Sequence, residues 1–173
     1  SLPMIKLTNI ISGTGGSDRT ALQWKNLMEN PHQYDIASRR FNLLPGLIPG
    51  SIYQRTLQLR SLCRRQVLDA CERYDILVTP SQPTPAPSIA DTKKPLLSRE
   101  QAMNDLKAFS FSNAAAIAGI PAISVPCGFT GDGLPVGLQI MAKRYDEETV
   151  FRAAFAYEQN TSWHTMRPPV GDI

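Results

Sequence analysis

The chain has 173 residues, 42% hydrophobic and 19% charged, enough to bury the core of one ordinary domain and too apolar for a disordered tail. Its net charge of +3 falls short of the dense basic face that nucleic acid binding requires. It shows no apolar run long enough to span a bilayer and no signal-peptide pattern, so a cytoplasmic location is the default expectation. Three cysteines, an odd number, make no disulfide framework. His32 and His164, the only two histidines, argue against a histidine-rich metal site and against a Ser-His-Asp triad.

In chain order, the first feature is SGTGGSDRT, Ser12 to Thr20. Glycines beside serines suit a nucleophile loop, a phosphate cradle or a flexible helix entry. No Lys-Ser/Thr follows the glycines, and G-x-G-x-x-G also fails, which disfavours the phosphate loop. The expectation is an entry loop to a helix over Asp18 to Glu29, capped by Ser17 or Asp18 and stopped by Pro31. Residues 31 to 50 read as an ordered surface connection punctuated by Pro and Gly. A long helix from Ser51 to Arg73 follows. It should bury Leu59, Leu62, Cys63, Val67, Ala70, Cys71 and Tyr74, with Arg60, Arg64, Arg65, Asp69, Glu72 and Arg73 on the other sides. On that helix Cys63 and Cys71 stand roughly 12 Å apart, beyond disulfide reach.

DILVT, Asp75 to Thr79, reads as a buried strand. Prolines 80, 83, 85, 87 and 95 should exclude a helix and favour an extended loop. Ser98 and Gln101 form a capping box. An alanine-rich helix over Ser110 to Ala118 is stopped by Gly119 and Pro121. Strands over Ala122 to Pro126 and Val136 to Met141 flank a tight turn at Asp132-Gly133. Asp146 caps a last helix, with Glu147 and Glu148 at its N-terminus and Val150, Phe151, Ala154 and Phe155 on its buried side. The tail after Thr161, with Trp163, is expected to be pinned irregularly to the surface. No internal repeat is visible.

Few apolar strands among helices indicate an α/β fold, a sheet covered on both sides. Three short strands make a poor sheet with open edges, so the chain reads as part of a larger sheet. The expected organisation is an entry over residues 1–17, a folded body over 18–160 and an irregular tail over 161–173.

Three stretches carry a family resemblance: RRFNLLPGLIPGSIYQRTLQLRSLCRR, YDILVTPSQPTPAP, and the block from GIPAISVPCGFTGDGLPVGLQIM to SWHTMRP. Over about Ala21 to Pro168 the chain resembles the C-terminal portion of the amidase signature family. The resemblance implies a mixed sheet of few strands in this portion, flanked by helices. It implies hydrolysis or transfer at carbon–nitrogen bonds of small-molecule amides, with no cofactor. Family members use a Ser-Ser-Lys arrangement with a glycine-rich oxyanion loop, since serine needs a base and the oxyanion needs preorganised donors. The family's G-G-S-S-G-G-S run is absent here, and Lys6 lacks the surrounding motif. The triad is therefore expected outside this chain, which alone should be inactive and contains no catalytic residue. Its partners would be the missing N-terminal half, or another copy through the uncovered sheet edge, with no nucleic acid and no membrane.

The candidate substrate-binding residues are Arg60, Thr79 and Ser81. Arg60 lies in a helix whose arginine helps position substrate in amidotransferase-type relatives, or is a plain surface arginine. Thr79 and Ser81 follow a strand end near the family's cleft, where ligands commonly sit in α/β sheets; simple capping of the strand is the alternative. Cys127 lacks a histidine partner and reads as a packing residue. The catalytic component of a glutamyl-tRNA amidotransferase, its A-type polypeptide, is an alternative identity. Phe109 stands where that polypeptide carries an acidic residue, with Asp105 four positions away, which favours a more general amidase. An inactive binding or assembly module is a further alternative.

Overall fold

A computed structural model describes residues 16–92 and 111–166. The Ser98–Gln101 capping box, Lys6, Asp105, Phe109 and residues 12–15 of the first glycine-serine stretch lie outside the described residues. Helix α1 spans Gly16–Glu29, α2 Ile36–Leu43, α3 Gly50–Arg73, α4 Ile89–Thr92, α5 Ser112–Ala118 and α6 Glu147–Gln159. Strand β1 spans Ile76–Pro80, β2 Ala122–Phe129 and β3 Pro135–Ala142. Short 3-10 turns occupy Pro31–Gln33, Leu44–Leu47 and Trp163–Thr165.

Helix α1 begins two residues earlier than expected, so Ser17 and Asp18 lie inside it rather than at its cap. Ser17 Oγ instead donates to the Pro45 carbonyl at 2.8 Å. The Asp18 carboxylate accepts from the Tyr53 hydroxyl at 2.6 Å. The expected connection over residues 31–50 also contains a helix, α2. Its N-cap is Asp35, whose carboxylate accepts from Ser38 N at 2.7 Å. That cap supplies a start signal inside the proline- and glycine-punctuated segment.

The α3 stripe is narrower than its apolar periodicity suggests. Cys63, Val67 and Cys71 are buried, with Leu59 packed against Cys63. Leu62 and Tyr74 are instead 39% and 62% exposed. The helix packs on the short α5 and on β1, so burial is deepest along the line at i, i+4 spacing, with Leu68 packed beside it. A short helix, α4, also corrects the expectation of an unbroken extended loop up to Pro95. It falls between Pro87 and Pro95, where the run of prolines is interrupted.

The three strands lie in the order β1-β3-β2, and both ladders are antiparallel. Few strands flanked by helices is the architecture expected. Thr79 pairs with Gln139 and Ser124 also pairs with Gln139, so β3 is ladder partner to both neighbours. The Asp132-Gly133 turn forms as expected, with Gly133 N donating to Thr130 O at 2.9 Å. Ahead of β2, Gly119 takes φ 67° and its N–H donates to Ala115 O, ending α5 in the left-handed geometry that glycine accepts without penalty.

Because side chains alternate across a strand, the sheet has two distinct faces. On one, Val125, Ile140 and Ala154 are buried with Ile76, Ile123, Leu138, Ala153 and Tyr157 around them. This face lies under α6, whose cap is Asp146 accepting from Thr149 N at 3.2 Å. Val150 and Ala154 are buried as expected, but Phe151 and Phe155 are 62% and 64% exposed. The small Ala153 and Ala154 are the residues set against the sheet, which rolls the two phenylalanines outward. The other face buries Met141, with Leu77, against Val67, Cys71, Ala115, Ala118 and Ile120. Beyond the turn, Trp163 meets Phe129 edge-on, with ring centroids 6.2 Å apart, and so ties the start of the tail to β2.

Candidate functional site

The face that carries Met141 changes character along its length. Two residues before Met141 comes Gln139, and two before that Gly137. Thr79 and Ser81 continue the same face on the β1 side, and Ser124 on the β2 side. Apolar packing therefore ends at Leu77 and Met141, and a polar strip begins.

Thr79 Oγ1 donates to Gln139 Oε1 at 3.2 Å, and Gln139 is only 7% exposed. Ser81 N donates to Gly137 O at 2.8 Å, extending the ladder one residue past β1. The hydroxyls of Ser81 and Ser124 meet at 2.5 Å. Gly137 lies beneath them: a Cβ added there would fall 2.7 Å from Ser81 Oγ and 2.8 Å from Ser124 Oγ. Ser124 is exposed and Ser81 half-buried, so the pair opens to the solvent side of the strip.

This arrangement can donate and accept hydrogen bonds, but it contains no activated nucleophile. A serine needs a base within reach, and among the described residues no lysine or histidine hydrogen-bonds to either hydroxyl. Lys143 follows the far end of β3, six residues from Gly137. That is roughly 20 Å along a strand.

Thr79 and Ser81 thus share one face at the end of β1, while Arg60 lies elsewhere, exposed on α3 near Tyr53. The hydrogen bond to Asp18 leads in raising the Tyr53 pKa, followed by desolvation and the Asp18 charge, and the Arg60 charge opposes them. Nearby, an open cleft of about 310 Å³ is lined by Ser17, Thr20, Trp24, Pro45 and Tyr53, among others.

Cys127 occupies a bulge in the β2–β3 register and donates to Val136 O at 3.4 Å. Among the described residues it has no histidine partner. No group of His, Cys, Asp or Glu among the described residues could hold a metal ion. No helix among them is long and apolar enough to cross a membrane.

The sequence reading missed Ser124, Gly137 and Gln139. The signals were present: a lone hydroxyl within AISVP, and a glycine and a glutamine at alternating positions in the apolar VGLQIM run. Glycine inside a strand marks a bulge or a close approach, and here it marks the approach of two side chains.

A family model described as amidase matches residues 29–151. The A-type polypeptide of the glutamyl-tRNA(Gln) amidotransferase of Geobacillus kaustophilus is 45% identical over 117 residues, which are 67% of this chain and 22% of that protein. Among solved structures, that of an amidase superposes with a TM-score of 0.75 at 22% identity, covering 92% of this chain and 36% of its own. The corresponding amidotransferase polypeptide of Thermotoga maritima superposes with a TM-score of 0.63 at 25% identity, covering 96% and 36%. The chain thus spans less than a quarter of the curated relative's length.

Proposed function

The chain belongs to the amidase family, and from that premise we propose that it forms one wall of the substrate cleft in an enzyme acting on carbon–nitrogen amide bonds. The observation that carries this reading is the polar strip of Thr79, Ser81, Ser124 and Gln139 on an otherwise apolar sheet. Thr79 and Ser81 are the contacts assigned to the amide substrate. Arg60, whose side chain is exposed, is assigned to orienting the substrate on the strength of the family resemblance alone.

The nucleophile, the middle serine and the lysine base come from a catalytic half bearing G-G-S-S-G-G-S, a run these 173 residues do not contain. That chemistry draws on no metal or cofactor: the lysine takes the proton and backbone N–H groups hold the oxyanion. Residues 18–160 act as one folded body within that enzyme, working in the cytoplasm. The outer edges of β1 and β2, unpaired among the described residues, receive neighbouring strands of the same sheet, or a second copy when those are missing. An edge left open is a template for such pairing.

The test compares the 173-residue chain with a polypeptide joining it to a G-G-S-S-G-G-S half, on simple aryl and aliphatic amides. The joined polypeptide should turn over and the chain alone should not. Turnover by the chain alone would overturn the assignment of the triad elsewhere. Failure of both would favour an inactive binding module.

The 45% identity to a glutamyl-tRNA(Gln) amidotransferase polypeptide supports a second reading, in which the chain is part of a larger assembly acting on a tRNA-bound substrate. Phe109 weighs against it, since an acidic residue there would meet the α-ammonium group of glutamine. Glutaminase activity of the joined polypeptide would favour the amidotransferase; activity confined to other amides would favour the general amidase.

A further inference from the structure

Two serines on strands that are not neighbours should not touch. Adjacent strands lie about 4.8 Å apart, so β1 and β2 are separated by roughly 9–10 Å with β3 between them. Side chains of the outer strands ordinarily stand upright beside the side chain of the middle one. Here the middle position is Gly137, and the two hydroxyls lean over its bare α-carbon until they bond. Glycine in a strand interior is unfavourable by roughly the difference that separates it from alanine in regular structure, and the contact above it is the feature that its absent side chain permits.

We propose that Ser81, Ser124 and Gly137 form a clasp that positions the segment leaving β1 against the substrate cleft. This rests on the cleft-wall reading above. Ser81 is the last residue of that segment tied to the ladder, through its N–H to Gly137 O. After it come Pro83, Pro85 and Pro87, which supply no N–H donors of their own. The direction of the segment is thus set where the clasp closes. One hydroxyl proton is spent between the two serines, and the other remains to be donated outward. Ser124 and Gly137 are positioning residues in this scheme, acting through Ser81.

The clasp predicts coupling. In the joined amidase, Ser81→Ala and Ser124→Ala should each lower kcat on an aryl amide such as benzamide by about ten- to a hundredfold, the range expected for a misplaced wall. In Ser124→Ala, where no substrate contact is removed, KM should move less than about twofold. The double variant should be no worse than Ser81→Ala alone, which already opens the clasp and removes the substrate contact. Gly137→Ala should reproduce the loss by prying the hydroxyls apart, and Ser124→Thr, which keeps the hydroxyl, should restore activity.

A second measurement is independent of turnover. Hydrogen exchange at the Ser81 amide should speed up about fivefold or more in Ser124→Ala, although Ser124 is on another strand. Losses that multiply in the double variant, or an unchanged Ser81 amide in Ser124→Ala, overturn the clasp. If no amide is turned over, the amidase reading falls, and the exchange measurement alone decides the clasp.

Discussion

The residues before Cys63 and those after it are held by different chemistry. Among the described residues, Leu27 is the sole buried apolar side chain ahead of Cys63, whereas the rest of the buried apolar residues follow it. The first region is fastened by polar contacts. Thr20 donates to the carbonyls of Gly16 and Asn42, Ser17 donates to Pro45, and Tyr53 donates to Asp18. The Arg19 guanidinium lies over the Phe41 ring at 4.0 Å. The second region is a sheet with aliphatic layers on both faces. Burial of apolar area is the dominant favourable contribution to folding, while a typical hydrogen bond adds about 1 kcal/mol net. The sheet should therefore set global stability, and the helices before Cys63 should open first.

The largest expected effect tests the sheet side. Ile140→Ala, in the layer under α6, should lower stability by about 2–5 kcal/mol in chemical denaturation. A loss under about 1 kcal/mol would break the comparison. Next, Thr20→Ala removes a buried donor and strands carbonyls that it serves. It should cost about 1–3 kcal/mol and speed protease cleavage within residues 16–50 while sparing β1 to α6. Uniform loosening of both regions would contradict the separation.

A smaller effect comes from the two buried thiols. Burial pushes both Cys63 and Cys71 above the ordinary 9.0; for Cys71, Glu72 adds to this and Lys143 opposes it. The folded chain then holds these protons at a pH where the unfolded chain releases them. Stability should be unaffected below pH 9 and decline above it. In a Cys63→Ala/Cys71→Ala variant the slope between pH 9 and 10 should flatten; an unchanged slope would remove the thiols as its cause. The smallest effect is at Leu22, 84% exposed on α1. Leu22→Gln should stay within about 0.5 kcal/mol of the parent by thermal or chemical unfolding, and a clear loss would reveal packing on the side that looks open.

Much of the fold was legible because helical and strand periods write themselves into side-chain order. The Cys63, Val67, Cys71 line and the Val150, Ala154 pair were readable from spacing alone. The edges of those stripes were not. Leu62, Phe151 and Phe155 sit about one helical step off the contact line, where only the size of the facing element decides whether they are covered, and Tyr74 falls just past the helix end in extended backbone. At the site, the structure puts Thr79 near the end of β1 with Ser81 just past it, and both positions were readable from DILVTPS. Ser124 and Gly137 were not, because their meaning depends on strand order: β3 lies between β1 and β2, and no local pattern records which strand takes the centre. Arg60 was picked from its helix, but its neighbourhood with Tyr53 and Asp18 depends on how α1 lies against α3.

Among the described strands, the central one is also the last to be made. Thr79 and its partner Gln139 are 60 residues apart. On a ribosome adding about 5–20 residues per second, β1 would wait roughly 3–12 s for its partner to be made. During that interval β1 has no ladder partner, β2 appears only near its end, and the aliphatic layer under α6 cannot assemble. Translation speed across residues 80–142 thus becomes a determinant of yield, and slow codons there would prolong exposure of β1, still without its partner, to other nascent chains.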